Sequence, residues 1–366
     1  MQGYSSAQPR LSPGHGKGAL DSLAAVAARN DLNRLAGRLL ELNQWLSQDL
    51  ATLERAIEEV ATADLGEGPA CARVALAGRH LLALRGKRIR PLCVILAARM
   101  GGRCMDDAVR HLAVACEMTH NATLLHDDVI DDSCERRGAP TARVLYGNSA
   151  SVLAGDHLLV QALRSVQKAS VDGLLASLFD VIADMVAAEA MQLERRGRFE
   201  PSRAAYLSVI KGKTASLFDW GLRAGGRAGD LDAPTIETLG IVGQHLGMAF
   251  QLVDDAIDLE GDPQITGKEA LVDLREGKLT WPVIVAAEQD ASLETTLRGV
   301  AAGAALDEAN IQQLVGRIRA TGALQATRRY AGQMAQQAGE ALAALPAGQA
   351  REALQAVIES AVSRAG

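Results

Sequence analysis

Cysteine is sparse in this chain and lacks a metal-binding pattern. Cys71, Cys93, Cys104, Cys116 and Cys134 include no CxxC pair, which speaks against a zinc site and a disulfide framework. Most lie in apolar helical patterns, so buried free thiols in a reducing, cytoplasmic setting are expected. Positive charge is not in excess either: the net charge is -6, which speaks against nucleic acid as a partner. Long apolar runs are missing. The longest uncharged stretch, 238–253, is broken by Gln244, His245 and Gln251 and is too short for a membrane span. Alternating β-branched runs of strand length are nearly absent, as are G-x-x-x-x-G-K-[ST] and G-x-S-x-G, so P-loop and hydrolase-elbow chemistry lack their motifs. No interior stretch reads as a linker. The Ser-, Gly- and Pro-rich start has no apolar core and reads as a disordered tail over 1–25, not a secretory signal. Residues 26–366 are then expected to form one domain.

Helical spacing fills that domain. Leu32, Leu35, Leu39, Leu42, Leu46, Leu50, Leu53 and Ile57 recur every three or four positions. Prolines such as Pro69, Pro91, Pro201, Pro234 and Pro282 fall where such patterns begin, in the first turn, where a missing N–H costs nothing. Ala and Leu, both strong helix formers, dominate. The expectation is an all-α single-domain bundle of a dozen or so helices around a large central cavity. Gly240, Gly243 and Gly247 on one helix read as packing residues.

The stretch LLHDDVIDD, 124–132, puts Asp127, Asp128, Asp131 and Asp132 at the end of an apolar helix. Asp127 and Asp131 stack one turn apart, with His120 further back on the same side. Like charges at that spacing destabilise a helix by roughly 0.2–0.5 kcal/mol per pair, and acids at a C-terminal end oppose the dipole. A divalent cation reverses both penalties, and magnesium prefers one or two carboxylates plus waters and phosphates. A solvated acidic helix end is the plain alternative. Against it, FQLVDDAID repeats the arrangement with Asp254, Asp255 and Asp258, and Gln251 lies one turn earlier. Two such clusters facing across a bundle suit cations and a polyphosphate. Basic residues beside turns complete the pattern: Lys87, Arg88 and Arg90 ahead of Pro91, Arg136 and Arg137 ahead of Gly138, Lys213 with Thr214, and Lys278. Arg90, as a pre-proline residue, is expected in an extended loop. A di-iron bundle needs two Glu-x-x-His pairs, and only Glu117–His120 is present.

With these motifs in order, the chain from about residue 30 onward resembles the trans-isoprenyl diphosphate synthases. The resemblance rests on GKRIRP (86–91), HNATLLHDDVIDDSCERRGAPT (120–141), GDHLL (155–159), GKTASLF (212–218), FQLVDDAID (250–258) and EGKLTWP (276–282). It implies catalytic roles for Asp127, Asp131, Lys213 and Asp254. Asp127, Asp128, Asp131, Asp254, Asp255 and Asp258 are the implied holders of two or three Mg2+ ions. Arg136, Lys213, Thr214, Gln251 and Lys278 would serve the allylic diphosphate. Lys87, Arg90, His120 and Arg137 would serve isopentenyl diphosphate. It also implies a homodimer, and a peripheral membrane contact is expected for product release. The segment TGKEALVDLREGK departs from the family, with Glu269 and Leu271 where Pro and Gly are usual, which bears on the loop of Lys268.

Chain length is expected to be set by Met118, Ala122 and Thr123, below the first aspartates. Aromatic residues total 3% and none occupies the turns just before Asp127, so nothing plugs the path. A long, octaprenyl-to-decaprenyl product for a respiratory quinone is expected. The alternatives are a farnesyl or geranylgeranyl diphosphate synthase, a non-catalytic regulatory subunit, or a terpene cyclase. Two intact acidic motifs oppose the subunit, and GKRIRP opposes the cyclase.

Overall fold

Amphipathic helices with one apolar face each must bury those faces against one another, and the chain does so around α6. The structure, a computed structural model, describes residues 19–364 apart from 62, 64, 85 and 261–270. Helix α1 (Ala19–Arg29) and α2 (Asn33–Trp45) form an N-terminal hairpin, followed by α3 (Ser47–Ala61), α4 (Pro69–Ala83) and α5 (Ile89–Met100). Then come α6 (Asp107–Ile130), the short α7 (Ala142–Tyr146), α8 (Asn148–Ala169) and α9 (Leu174–Arg195). Helix α10 (Arg203–Ile210) runs through a π-helical turn, Lys211–Ala215, into α11 (Ser216–Ala228), and α12 (Ala233–Glu260) follows. The remaining helices are Val272–Arg275, Trp281–Gln289, Glu294–Ala301, Glu308–Ala320, Ala323–Ala343 and Gln349–Val362. The all-α expectation holds, with short helices added to the long ones. Helix α1 begins at Ala19, so the expected tail boundary at residue 25 is corrected; residues 1–18 lie outside those described. Cys93 and Cys116 are buried free thiols as expected, whereas Cys104 and Cys134 are exposed. Among the described residues no helix is long and apolar enough to cross a membrane.

Helix α6 packs on α5, α8 and α11, and α12 packs on α11 and on Ala323–Ala343. Its start is set by Asp106, whose carboxylate accepts the Val109 N–H at 2.9 Å, one of the four unpaired donors of a first turn. The approach of α12 to α11 depends on glycine. A Cβ on Gly243 would lie 2.6 Å from Asp219 Cα, and one on Gly247 would lie 2.5 Å from Ala215 Cα. That contact brings the π-helical turn, with Lys213 and Thr214, alongside the end of α12 that carries Gln251 and the second acidic motif. A two-stranded hairpin pairs Glu135 with Pro140 and Arg136 with Ala139. Its turn residues, Arg137 and Gly138, both have positive φ, the geometry of a tight hairpin turn.

Candidate active site

The last turn of α6 presents Asp127 and Asp131 on one face, half-buried, and each meets an ammonium from a distant element. Lys213 Nζ lies 3.2 Å from Asp127 Oδ2 and also contacts Glu189 on α9. Lys278 Nζ donates to Asp131 Oδ2 at 2.6 Å and to Glu276 at 2.9 Å. Burial works to lower both ammonium groups. For Lys213 the Asp127 and Glu189 carboxylates outweigh it, and for Lys278 Asp131 and Glu276 do, so both are held above the usual lysine range. Arg196 adds a third cation, 3.5 Å from Asp131 Oδ1, and donates to the backbone oxygens of Ile130 and Glu276.

The second aspartate of each motif turns the other way. Asp128 is 1% exposed; its Oδ1 accepts a hydrogen bond from Arg136 Nε at 2.8 Å and makes an ion-pair contact with Nη2 at 2.8 Å. Asp255 is 2% exposed and is ringed by donors. Tyr206 Oη donates to it at 2.5 Å, Gln251 Nε2 at 3.0 Å and the Trp281 N–H at 3.3 Å. Burial, then the field of Asp273, pushes Asp255 up to about 7 against those bonds. The expectation that Asp128 and Asp255 are metal ligands is therefore corrected: adjacent residues on a helix are 100° apart, and tertiary packing has buried one of each pair. Arg136 is correspondingly spent on Asp128.

Asp254 stays half-buried, and Arg364 donates to it at 2.7 Å. The Arg364 guanidinium lies 3.9 Å from the Phe250 ring centroid. Asp258 Oδ1 caps the N–H of Val272 at 3.1 Å, tying the second motif to the segment that leads to Lys278. That segment starts at Leu271, buried in a left-handed conformation at φ 60, which disfavours a branched side chain. Of the expected departures, Glu269 lies outside the described residues, as does Lys268, on whose loop they bear. Thr214 Oγ1 donates to Gln251 Oε1 at 3.0 Å, so these two expected site residues do meet.

Lys87, Arg90, His120 and Arg137 gather as a second basic group. Arg90 Nη1 and His120 Nε2 are 3.3 Å apart, and the Arg90 guanidinium lies 4.6 Å from the Phe218 ring centroid. Arg90 sits in the first turn of α5 and not in an extended loop. Pro91 follows it inside that turn, where no N–H is needed. Arg137 donates to the Leu84 oxygen, and Gly86 leaves room for it: a Cβ there would be 2.8 Å from Arg137 Nη2. Burial, then Arg364, brings the Lys87 ammonium down to about 8. Burial, then Arg90 and Arg137, holds the His120 imidazole well below its ordinary range, hence neutral.

Between Lys213 and Lys278 a cavity of about 150 Å³ is lined by Tyr206, Thr214, Gln251 and Thr280. A larger groove of about 460 Å³ lies on the other flank of the π-helical turn, against Trp220 and Arg223, and carries neither acidic motif. Met118 and Ala122 are buried in the core. Met118 precedes Asp127 by nine positions, which is about half a turn around the helix. Thr123 shares the face of the aspartates, its hydroxyl bonded to the His120 oxygen at 2.8 Å. Glu189, Arg196, Tyr206 and Arg364 were not legible as site residues from motif spacing.

Among the described residues no three His, Cys, Asp or Glu side chains form one ligand set. The carboxylates instead stand as pairs with ammonium and guanidinium counter-ions. This oxygen-only, two-carboxylate arrangement suits magnesium, whose remaining positions go to water and phosphate.

A polyprenyl synthetase family model matches residues 72–318. The chain is 32% identical to octaprenyl diphosphate synthase of Escherichia coli over 328 residues, 89% of this chain and 99% of that one. It is 34% identical to nonaprenyl diphosphate synthase of Mycobacterium tuberculosis over 287 residues, 78% of this chain and 85% of that one. A solved polyprenyl synthase from Caulobacter crescentus, complexed with calcium and isoprenyl diphosphate, superposes with a TM-score of 0.81 at 36% identity. That match covers 88% of this chain and 97% of the other. With its two acidic motifs and their cations held across one helical bundle, the chain belongs to the polyprenyl synthetase family and is a chain-elongating trans-prenyltransferase.

Proposed function

We propose that this enzyme condenses isopentenyl diphosphate with an allylic diphosphate to give a long all-trans polyprenyl diphosphate for a quinone side chain. The observation that carries the reading is the pairing of Lys213 with Asp127 and of Lys278 with Asp131. Cations already aimed at the acidic motif are in position to hold a diphosphate there. Asp127 and Asp131 on one side, and Asp254 on the other, would hold two or three magnesium ions. Bound magnesium supplies charge stabilisation for the departing pyrophosphate. Lys213 and Lys278 bind that pyrophosphate as the C–O bond breaks, while Thr214 and Gln251 orient it. Lys87, Arg90 and Arg137 hold the diphosphate of isopentenyl diphosphate, and neutral His120 adds a hydrogen bond. The isopentenyl double bond attacks the allylic cation, and loss of a proton completes a chain one unit longer. The enclosing helices keep water from the cation.

A long product is supported by the octaprenyl and nonaprenyl relatives and by the lack of an aromatic plug before Asp127. Geranylgeranyl synthases are also structural neighbours, at lower identity, and they favour a short product. Purified protein with magnesium, farnesyl diphosphate and labelled isopentenyl diphosphate separates the readings by reverse-phase chromatography. Products of eight to ten units (on the order expected for such relatives) support the long-chain reading, and a dominant geranylgeranyl product sinks it. No incorporation at all indicates a regulatory subunit. Incorporation that survives Asp127→Ala overturns the site assignment.

A further inference from the structure

A buried ion pair underlies the basic group that faces isopentenyl diphosphate. Glu117 lies on α6, three residues before His120, and is buried. Arg88 is buried too, and its Nη1 donates to Glu117 Oε1 at 2.6 Å. Its Nε donates to Glu54 at 3.1 Å and its Nη2 to the Leu82 oxygen at 3.4 Å. Asn121 gives Glu117 Oε1 a further bond at 3.0 Å. Arg88 holds a left-handed φ of 47, a conformation a non-glycine residue keeps only when its surroundings hold it there. That backbone sends Arg88 inward, while its neighbours Lys87 and Arg90 belong to the cavity-side basic group.

The Glu117 carboxylate is near enough for its field to act on Arg90 and Arg137 as well. Yet among the described residues neither of those forms an ion pair. Arg90 rests against Phe218 and Phe250, 4.6 and 5.9 Å from their ring centroids, and its buried Nε has no hydrogen-bond partner. A carboxylate left without Arg88 would take the nearest guanidinium, because a buried unpaired charge is costly. Such a pair would cancel the charge an incoming diphosphate needs.

We propose that Arg88 is a positioning residue that sequesters Glu117, so that Arg90 and Arg137 stay unpaired and available to the isopentenyl diphosphate. This rests on the reading above that Lys87, Arg90 and Arg137 receive that diphosphate. The role is electrostatic, so it has a signature that simple destabilisation lacks: removing Glu117 should make Arg88 dispensable.

The test uses the magnesium-loaded full chain and steady-state kinetics with each substrate varied in turn. Arg88→Met is expected to raise KM for isopentenyl diphosphate by about tenfold with KM for the allylic substrate unchanged. The double variant Arg88→Met with Glu117→Gln removes both buried charges together, a change that buried ion pairs tolerate. It is expected to bring KM for isopentenyl diphosphate back to within about twofold of the parent. A folded double variant whose KM stays raised overturns the inference, even where Arg88→Met alone does not fold. Equal rises in both KM values in the single variant overturn it as well. Lys87→Ala, run in parallel, checks the underlying reading. If that variant leaves KM for isopentenyl diphosphate unchanged, the basic group is not the isopentenyl site and the inference loses its ground. If KM rises but the double variant fails to recover, the reading stands and only the role of Arg88 falls.

Discussion

A lysine binds diphosphate only while it carries a proton, and Lys87 is set to lose its proton near physiological pH. Burial and the neighbouring Arg364 bring its ammonium down to about 8 from an ordinary 10.5. The sign follows directly: below that pH the free enzyme presents a cation, and above it a neutral amine. Because kcat/KM reports the free enzyme, kcat/KM for isopentenyl diphosphate is expected to fall as pH rises through about 8. The allylic substrate should not share this limb, since burial is outweighed at Lys213 and Lys278 by the carboxylates, which hold them charged. Lys87→Arg should flatten it, and a limb that persists in that variant assigns the titration elsewhere. Tyr206 is tested by stability. Its hydroxyl is one of three donors to the buried Asp255 carboxylate, and a buried acceptor left short of a partner costs about 1–3 kcal/mol. Tyr206→Phe is expected to lower the urea midpoint accordingly, and an unchanged midpoint rules out a structural role for that bond.

At the scale of elements, two glycines near the site should respond in opposite ways to alanine. A Cβ on Gly247 meets the Ala215 backbone at 2.5 Å, and backbone cannot swing aside. Gly247→Ala should cost about 1–3 kcal/mol as overpacking and push the π-helical turn, with Lys213 and Thr214, away from Gln251. Chemical denaturation and kcat should therefore fall together. A Cβ on Gly86 meets only the flexible end of Arg137, at 2.8 Å. Gly86→Ala should leave stability nearly unchanged while raising KM for isopentenyl diphosphate; a large stability loss there contradicts the packing described. These contacts also mark the limit of what the sequence disclosed. The helices and both acidic motifs were legible because i, i+4 spacing alone sets a helical face. The pairings were not, because they join distant residues: Lys278, itself a candidate from its motif, meets Asp131 across 147 residues, and Arg364, which no motif pointed to, meets Asp254 across 110. Spacing also could not say that Asp128 and Asp255 would be buried, since burial depends on which helix packs opposite.

At the scale of the whole molecule, one surface is unlike the rest. On α9, Phe179, Val186 and Leu193 recur every seven residues and are 52, 64 and 50% exposed. On α8, Leu153 and Val160 show the same spacing and are also exposed. A seven-residue repeat keeps side chains in one stripe along a helix, the pattern of a face made to meet another helix. Contiguous apolar surface of this kind marks an interaction site, and a second copy of the chain offers a matching pair of stripes related by a two-fold axis. The homodimer proposed from the family resemblance would place its interface there. Introducing Asp at both Phe179 and Val186 sets four carboxylates, two per copy, into a surface that loses water on association. Sedimentation equilibrium is expected to show a dimer for the parent chain and a monomer for this variant, with the helical circular dichroism unchanged. The stripe also adjoins catalysis, because Glu189, which meets Lys213, lies on α9 between Val186 and Leu193. Loss of the partner should then loosen α9 and lower kcat as well as the association state. A variant that stays dimeric excludes α9 as the interface, and a monomer with full kcat separates the interface from the site.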